Sequence, residues 1–94
     1  MRLVSDDFET DMPYERVVVS LTRSVVCYRT IYKVIACPVS LDTDDSYWVL
    51  GKYFTESKAK MAMTLMRHAY LSGESIFQFP FDNEVKQKYE ETFA

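Results

Sequence analysis

Four groupings in this chain are of residue types that do chemistry. They are His68, the thiols Cys27 and Cys37, the acids Asp42, Asp44 and Asp45, and the bases Arg16, Arg23, Arg29 and Lys33 interleaved with Tyr28 and Tyr32. General acid–base catalysis needs a histidine in a cleft with a carboxylate to orient it. His68, the single histidine, follows Arg67 on the polar side of an amphipathic stretch and reads as a surface or boundary residue. Neither cysteine lies in a recognisable nucleophile context. Their separation is not a zinc spacing, so they read as reduced, buried thiols. A disulfide would require them to face each other across a hairpin. On one strand they would lie about 33 Å apart, at roughly 3.3 Å per residue.

Three carboxylates within Asp42–Asp45 suggest a calcium loop. The EF-hand loop needs a Gly at its sixth position and a Glu at its twelfth. Counting from Asp42, those positions hold Tyr47 and Tyr53, so the acids read as a solvated turn. No metal, cofactor or catalytic residue is expected. The basic and aromatic residues of 16–39 could neutralise phosphates and stack bases. The net charge of −3 and pI near 5.0 argue against nucleic acid, because such binders carry excess positive charge. The alternative is that the acidic segments 1–15 and 41–45 fold over this basic sheet.

These groups must be positioned by elements the sequence also announces. Residues 1–15 hold five acids against one base, Arg2, with no hydrophobic periodicity; they read as a loosely ordered arm unless Phe8, Met12 or Tyr14 docks it. Residues 16–39 contain no acid and are dense in Val, Ile, Thr and Tyr, so two long strands are expected. Their turn is poorly signed: 22–24 is the first choice and 28–30 the second. Tyr47–Phe54 reads as a third strand, in which Gly51 marks a bulge or a close approach. Thr55 then caps a helix over 55–72, ended by Gly73, with Ala59, Ala62, Met63, Met66, Ala69 and Tyr70 on one face. Met61 and Leu65 widen that face and leave room for a partner or a second protomer. Ser75–Phe79 is a fourth short strand, and Asp82 caps a last helix carrying Val85, Tyr89 and Phe93 on one face. The fold class is α+β, a single domain over 1–94: an antiparallel sheet of about four strands, in β-β-β-α-β-α order, packed on one long helix.

Ala36-Cys37-Pro38-Val39-Ser40, then a strand, a helix and Tyr70–Ile76, resembles the end-strand and central-helix pattern of small OB-fold toxin B subunits. That resemblance implies an OB-like sheet. No apolar signal-like segment follows Met1 and no apolar run approaches a membrane span. A cytoplasmic location is expected, the host cytoplasm for a viral protein.

The chain has 14 acids and 14 aromatics in 94 residues, more aromatics than so small a core readily hides. It resembles in type the phage-encoded inhibitors of host or defence proteins and the bacterial immunity proteins: short, acidic, aromatic-rich and without a catalytic motif. The expectation is a protein-binding module and not an enzyme. Asp6, Asp7, Glu9, Asp11, Asp42, Asp44 and Asp45 would form a steering acidic rim, and Trp48 an anchor. A nucleic-acid-binding enzyme is one fitting partner, since such acids can imitate phosphate charges. An OB-like or sheet-based nucleic-acid binder using 16–39 is the alternative.

Overall fold

The computed structural model describes residues 1–38 and 47–93. In chain order they form β1 (Arg2–Val4), β2 (Asp11–Pro13), a 3-10 turn (Tyr14–Arg16), β3 (Val17–Val26), β4 (Arg29–Pro38), β5 (Trp48–Tyr53), α1 (Glu56–Leu71), β6 (Ile76–Gln78) and α2 (Asp82–Phe93). The β-branched residues of 16–39 make two ten-residue strands, β3 and β4, paired antiparallel along their whole length. Their turn is Cys27-Tyr28, between the paired residues Val26 and Arg29. This corrects the expected turn at 22–24; the second choice, 28–30, lies nearer. Both turn residues have positive φ, 50° and 63°. A two-residue hairpin loop requires that geometry to match the strand twist, and the usual Asn or Gly is missing. The turn was therefore invisible to a search for turn-forming residues.

β5 completes a β3-β4-β5 meander. Val34 pairs with Gly51 and Ile35 with Val49, so Leu50 is an extra, bulged residue. The ring of Tyr53 lies over Gly51: a Cβ there would sit 2.7 Å from the Tyr53 hydroxyl oxygen. Gly51 thus serves both expected roles, beside the bulge and at a close approach. The Tyr53 hydroxyl donates to the Pro80 carbonyl at 2.7 Å.

The helix α1 begins where Thr55 accepts from the Lys58 amide at 3.2 Å, and the left-handed Gly73 follows its end at φ 77°. Ala59, Ala62, Leu65, Met66 and Ala69 form its buried stripe, packed on β4 and β5. Met63 is half-buried and Tyr70 exposed, so the stripe is rotated slightly toward Leu65 from the expected face. α2 buries Val85 and half-buries Tyr89, while Phe93 is exposed.

Residues 1–15, expected to be loose unless Phe8, Met12 or Tyr14 docks them, are docked through Met12. β1 pairs antiparallel with β2 and parallel with β6, and Leu3 and Met12 are buried. The α+β class therefore holds, but with two sheets of three strands, not one antiparallel sheet of about four. The short strand after α1 joins β1 and leaves the meander three-stranded. Three-residue strands are too short to show a period of two, which is why β1 and β2 carried no signal. The meander stays open among the described residues, unlike the closed barrel an OB fold implies.

Candidate interaction surface

Each edge of the meander is built differently. In the antiparallel ladder, alternate residues turn their amide and carbonyl toward one neighbour. Along the outer edge of β5 the Leu50 carbonyl, the Lys52 amide and, just past the strand, the Phe54 amide have partners. The Asp6 amide donates to the Leu50 carbonyl at 2.8 Å. The Lys52 amide donates to the Asp6 carboxylate at 3.3 Å, and the Phe54 amide to the Asp82 carboxylate at 2.8 Å. Lys58 Nζ pairs with the other Asp82 oxygen at 3.0 Å. Asp82 is thus an edge cap for β5 instead of the expected helix cap. Burial raises the Asp6 carboxyl above its ordinary range, against the opposing pull of the Lys52 amide. Burial also pushes the Tyr53 phenol well up, and the charges of Asp6 and Asp82 add to that.

On β3 the hydrogen-bonded closing pair Val26–Arg29 sets the parity. Val18, Ser20, Thr22, Ser24 and Val26 face β4. Val17, Val19, Leu21, Arg23 and Val25 face outward. The Val17 amide donates back to the Tyr14 carbonyl. Among the described residues no strand lies beside the rest of this edge.

The hairpin also outruns its sheet. β5 pairs with β4 no further toward the tip than Tyr32, so residues 24–31 form a two-stranded arm. Val25 is 69% exposed, Val26 49% and Tyr28 fully exposed. The tip was missed as a candidate site; the signal was the apolar run Val25-Val26-Cys27-Tyr28 where a turn-forming residue would be ordinary. The arm's flanking face, opposite α1, carries Arg29, Lys33 and Lys52, placed together by the pairs Val26–Arg29, Thr22–Lys33 and Lys33–Lys52.

The structure places the expected acids as follows. Asp6 caps β5. Asp7 accepts from the Ser5 hydroxyl and from the Glu9 amide at 3.1 Å, and these bonds hold its carboxyl below the ordinary range. Asp11 pairs with Arg2 Nε at 2.8 Å. Glu9 is exposed beside Phe8, which has φ 62° and is also exposed. The loop after β1 thus gathers Asp6, Asp7 and Glu9, while Asp11 stands on β2. Asp42, Asp44 and Asp45 lie outside the described residues. Trp48 opens β5 and is 42% exposed.

His68 is exposed, its ring 5.1 Å from that of Phe93 in an edge-on contact. Both cysteines are free; Cys27 is exposed at the turn and Cys37 half-buried ten residues on, opposite Val18. They do not face each other, and Cys27 is not the buried thiol expected. No group of three or more metal-ligating side chains occurs among the described residues, and none of their helices is long and apolar enough to cross a membrane. Comparison with known protein families, curated proteins and solved structures finds no match.

Proposed function

We propose that this chain is a non-catalytic protein-binding module that acts by occupying a partner's surface, in the manner of inhibitors and immunity proteins. One observation carries the reading: the two-stranded arm ends in an exposed apolar tip held by a turn of two left-handed non-glycine residues. A two-stranded ribbon is only marginally stable by itself. Backbone held in sparsely populated regions persists where surrounding structure demands it, and it collects at functional positions. Val25, Val26 and Tyr28 are the anchors of this proposal, with Trp48 a further one on β5. Asp7 and Glu9, with Asp42, Asp44 and Asp45, supply the steering charges. The acids Asp6, Asp11 and Asp82 have structural partners and contribute to the field more than to contact.

The test is affinity capture from lysate with the wild-type chain and a Val25→Ser/Val26→Ser/Tyr28→Ser variant, identified by mass spectrometry. A partner held by the first and released by the second supports the reading. Equal capture by both overturns the tip as its site.

A second reading, sheet-based nucleic-acid binding, is favoured by the cations Arg29, Lys33 and Lys52 on the open face. It ranks lower because Tyr32 pairs with Arg23 and so stands on the opposite face, leaving no aromatic side chain of the ladder beside those cations for stacking. Submicromolar binding of single-stranded oligonucleotides at about 150 mM salt, lost on replacing Arg29, Lys33 and Lys52 by Ala, would reverse that order.

A further inference from the structure

We propose that the outer edge of β3 is a strand-addition site for an extended acidic segment of a partner protein. The proposal rests on the protein-binding reading and assigns it a mode: main-chain pairing along the arm, in addition to side-chain contact at its tip.

Three observations converge on that edge. The first is its backbone. Val19, Leu21, Arg23 and Val25 present amides and carbonyls outward along a strand of ten residues that contains no Pro, Gly, acid or bulge. Folded proteins usually blunt such an edge, because unpaired ladder groups recruit other chains. The second is the contrast with β5, where the Leu50 carbonyl and the Lys52 and Phe54 amides are taken by Asp6 and Asp82. One edge of this sheet is closed by Asp6 and Asp82, and among the described residues the other carries no such device.

The third is charge. Arg16 precedes the strand and Arg23 lies on it. A groove beside it, between β3 and α1, is lined by Leu21, Met63, Thr64, Lys60 and Arg67. Neither Arg16, Arg23 nor Arg67 is in an ion pair among the described residues. Lys60 is bonded to Glu56 at 2.7 Å, and the charge of Arg23 also acts on that carboxylate. A second copy of this chain would set the same cations against their equivalents about a two-fold axis. Leu21 and Arg23 share the face of β3 that borders this groove, so an acidic strand would turn its carboxylates to that face, toward Arg23 and Arg67, and its alternate apolar side chains to the other face, beside Ser20, Thr22 and Ser24. Strand addition works in this way: the backbone supplies affinity and pockets for alternate side chains supply selectivity.

The experiment uses the full chain and two synthetic, end-capped ten-residue peptides, one alternating Val and Glu and the other alternating Val and Lys, followed by NMR and amide hydrogen exchange. The acidic peptide is expected to bind at least tenfold tighter than the basic one. At saturation it should slow exchange of the Val19, Leu21, Arg23 and Val25 amides at least tenfold, leaving the inward-facing amides unchanged. Arg23→Pro, which removes an outward amide from an edge, should abolish binding, while Arg23→Ala should weaken it only in part. Binding of neither peptide at millimolar concentration, equal binding of both, or protection mapped elsewhere overturns the proposal. Concentration-dependent protection of the same amides without peptide, with a dimer in light scattering, names a second copy as the occupant and equally overturns it. The protein-binding reading fails separately: if the tip variant still releases a captured partner while the acidic peptide does not bind, only the strand-addition mode falls.

Discussion

The two edges of the meander are made from the same kind of chain and reach opposite ends. β5 is short, bulged at Leu50 and closed by Asp6 and Asp82, which arrive from the β1–β2 loop and the start of α2. β3 is long and regular, and among the described residues its outer edge is open. The side chains follow the backbone. α1 lies over β4 and β5, where Val34, Ala36, Leu50 and Tyr53 are fully buried or nearly so, whereas Val17, Val19 and Leu21 on β3 are only half-covered. The acidic composition of the chain thus conceals a division of labour. Several of its acids are used as internal fasteners, and the bases Arg16, Arg23 and Arg29 are left facing outward.

The largest test of that division is in the core. Met66, 2% exposed beneath the closed side, should cost about 2–5 kcal/mol when replaced by Ala. Leu21→Ala, on the open side, should cost less than about 2 kcal/mol. Equal losses in chemical denaturation would show that the core extends under β3 after all.

Asp82→Ala should come next, at about 1.5–3 kcal/mol, because it strands the Phe54 amide and the Lys58 ammonium together. It should also increase self-association, since it opens the β5 edge. Asp82→Asn retains an acceptor for the amide and should lose less. If the two variants match, the carboxylate's charge and not its capping of the edge is what matters.

A proline pair isolates the parity of β3. Thr22→Pro removes an amide that serves β4, whereas Arg23→Pro removes one that faces water. The first should be about 1–3 kcal/mol more destabilising than the second. The reverse ranking would mean that the hairpin register is shifted by one.

The smallest expected effect is in acid. Asp7 has a lowered folded-state pKa, so its stabilisation is present above the ordinary carboxylate range and is lost as pH falls through that lower value. Asp6 is raised, so its contribution has the opposite sign: it favours the fold at low pH and fades as pH rises through the raised value. As pH falls Asp6 is protonated first, so the Lys52 amide it holds should lose protection before the Glu9 amide held by Asp7. Asp6→Asn should remove that order.

What the sequence disclosed follows from how local each signal is. The helix α1 was legible to within a residue at each end, because Thr55, Gly73 and the apolar spacing act within one element. The strands β3, β4 and β5 were legible from their β-branched residues. The hairpin turn was not, because Cys27 and Tyr28 adopt a conformation their types disfavour. β1 and β2 were not, because their order depends on β6 and on the burial of Leu3 and Met12, contacts that no window of the sequence contains. The candidate surface was half legible. The basic segment 16–39 stood out from composition, but its open edge depends on where Asp6 and Asp82 go, and those are contacts across 46 and 28 residues of chain.

Residue-resolved amide exchange in the dilute free protein tests the closed-and-open account most directly. The account predicts alternation along β3, with Ser20, Thr22 and Ser24 slow and Val19, Leu21, Arg23 and Val25 fast, while Lys52 and Phe54 on the opposite edge are slow. Uniform protection along β3 at every concentration, or fast exchange at Lys52 and Phe54, would contradict it.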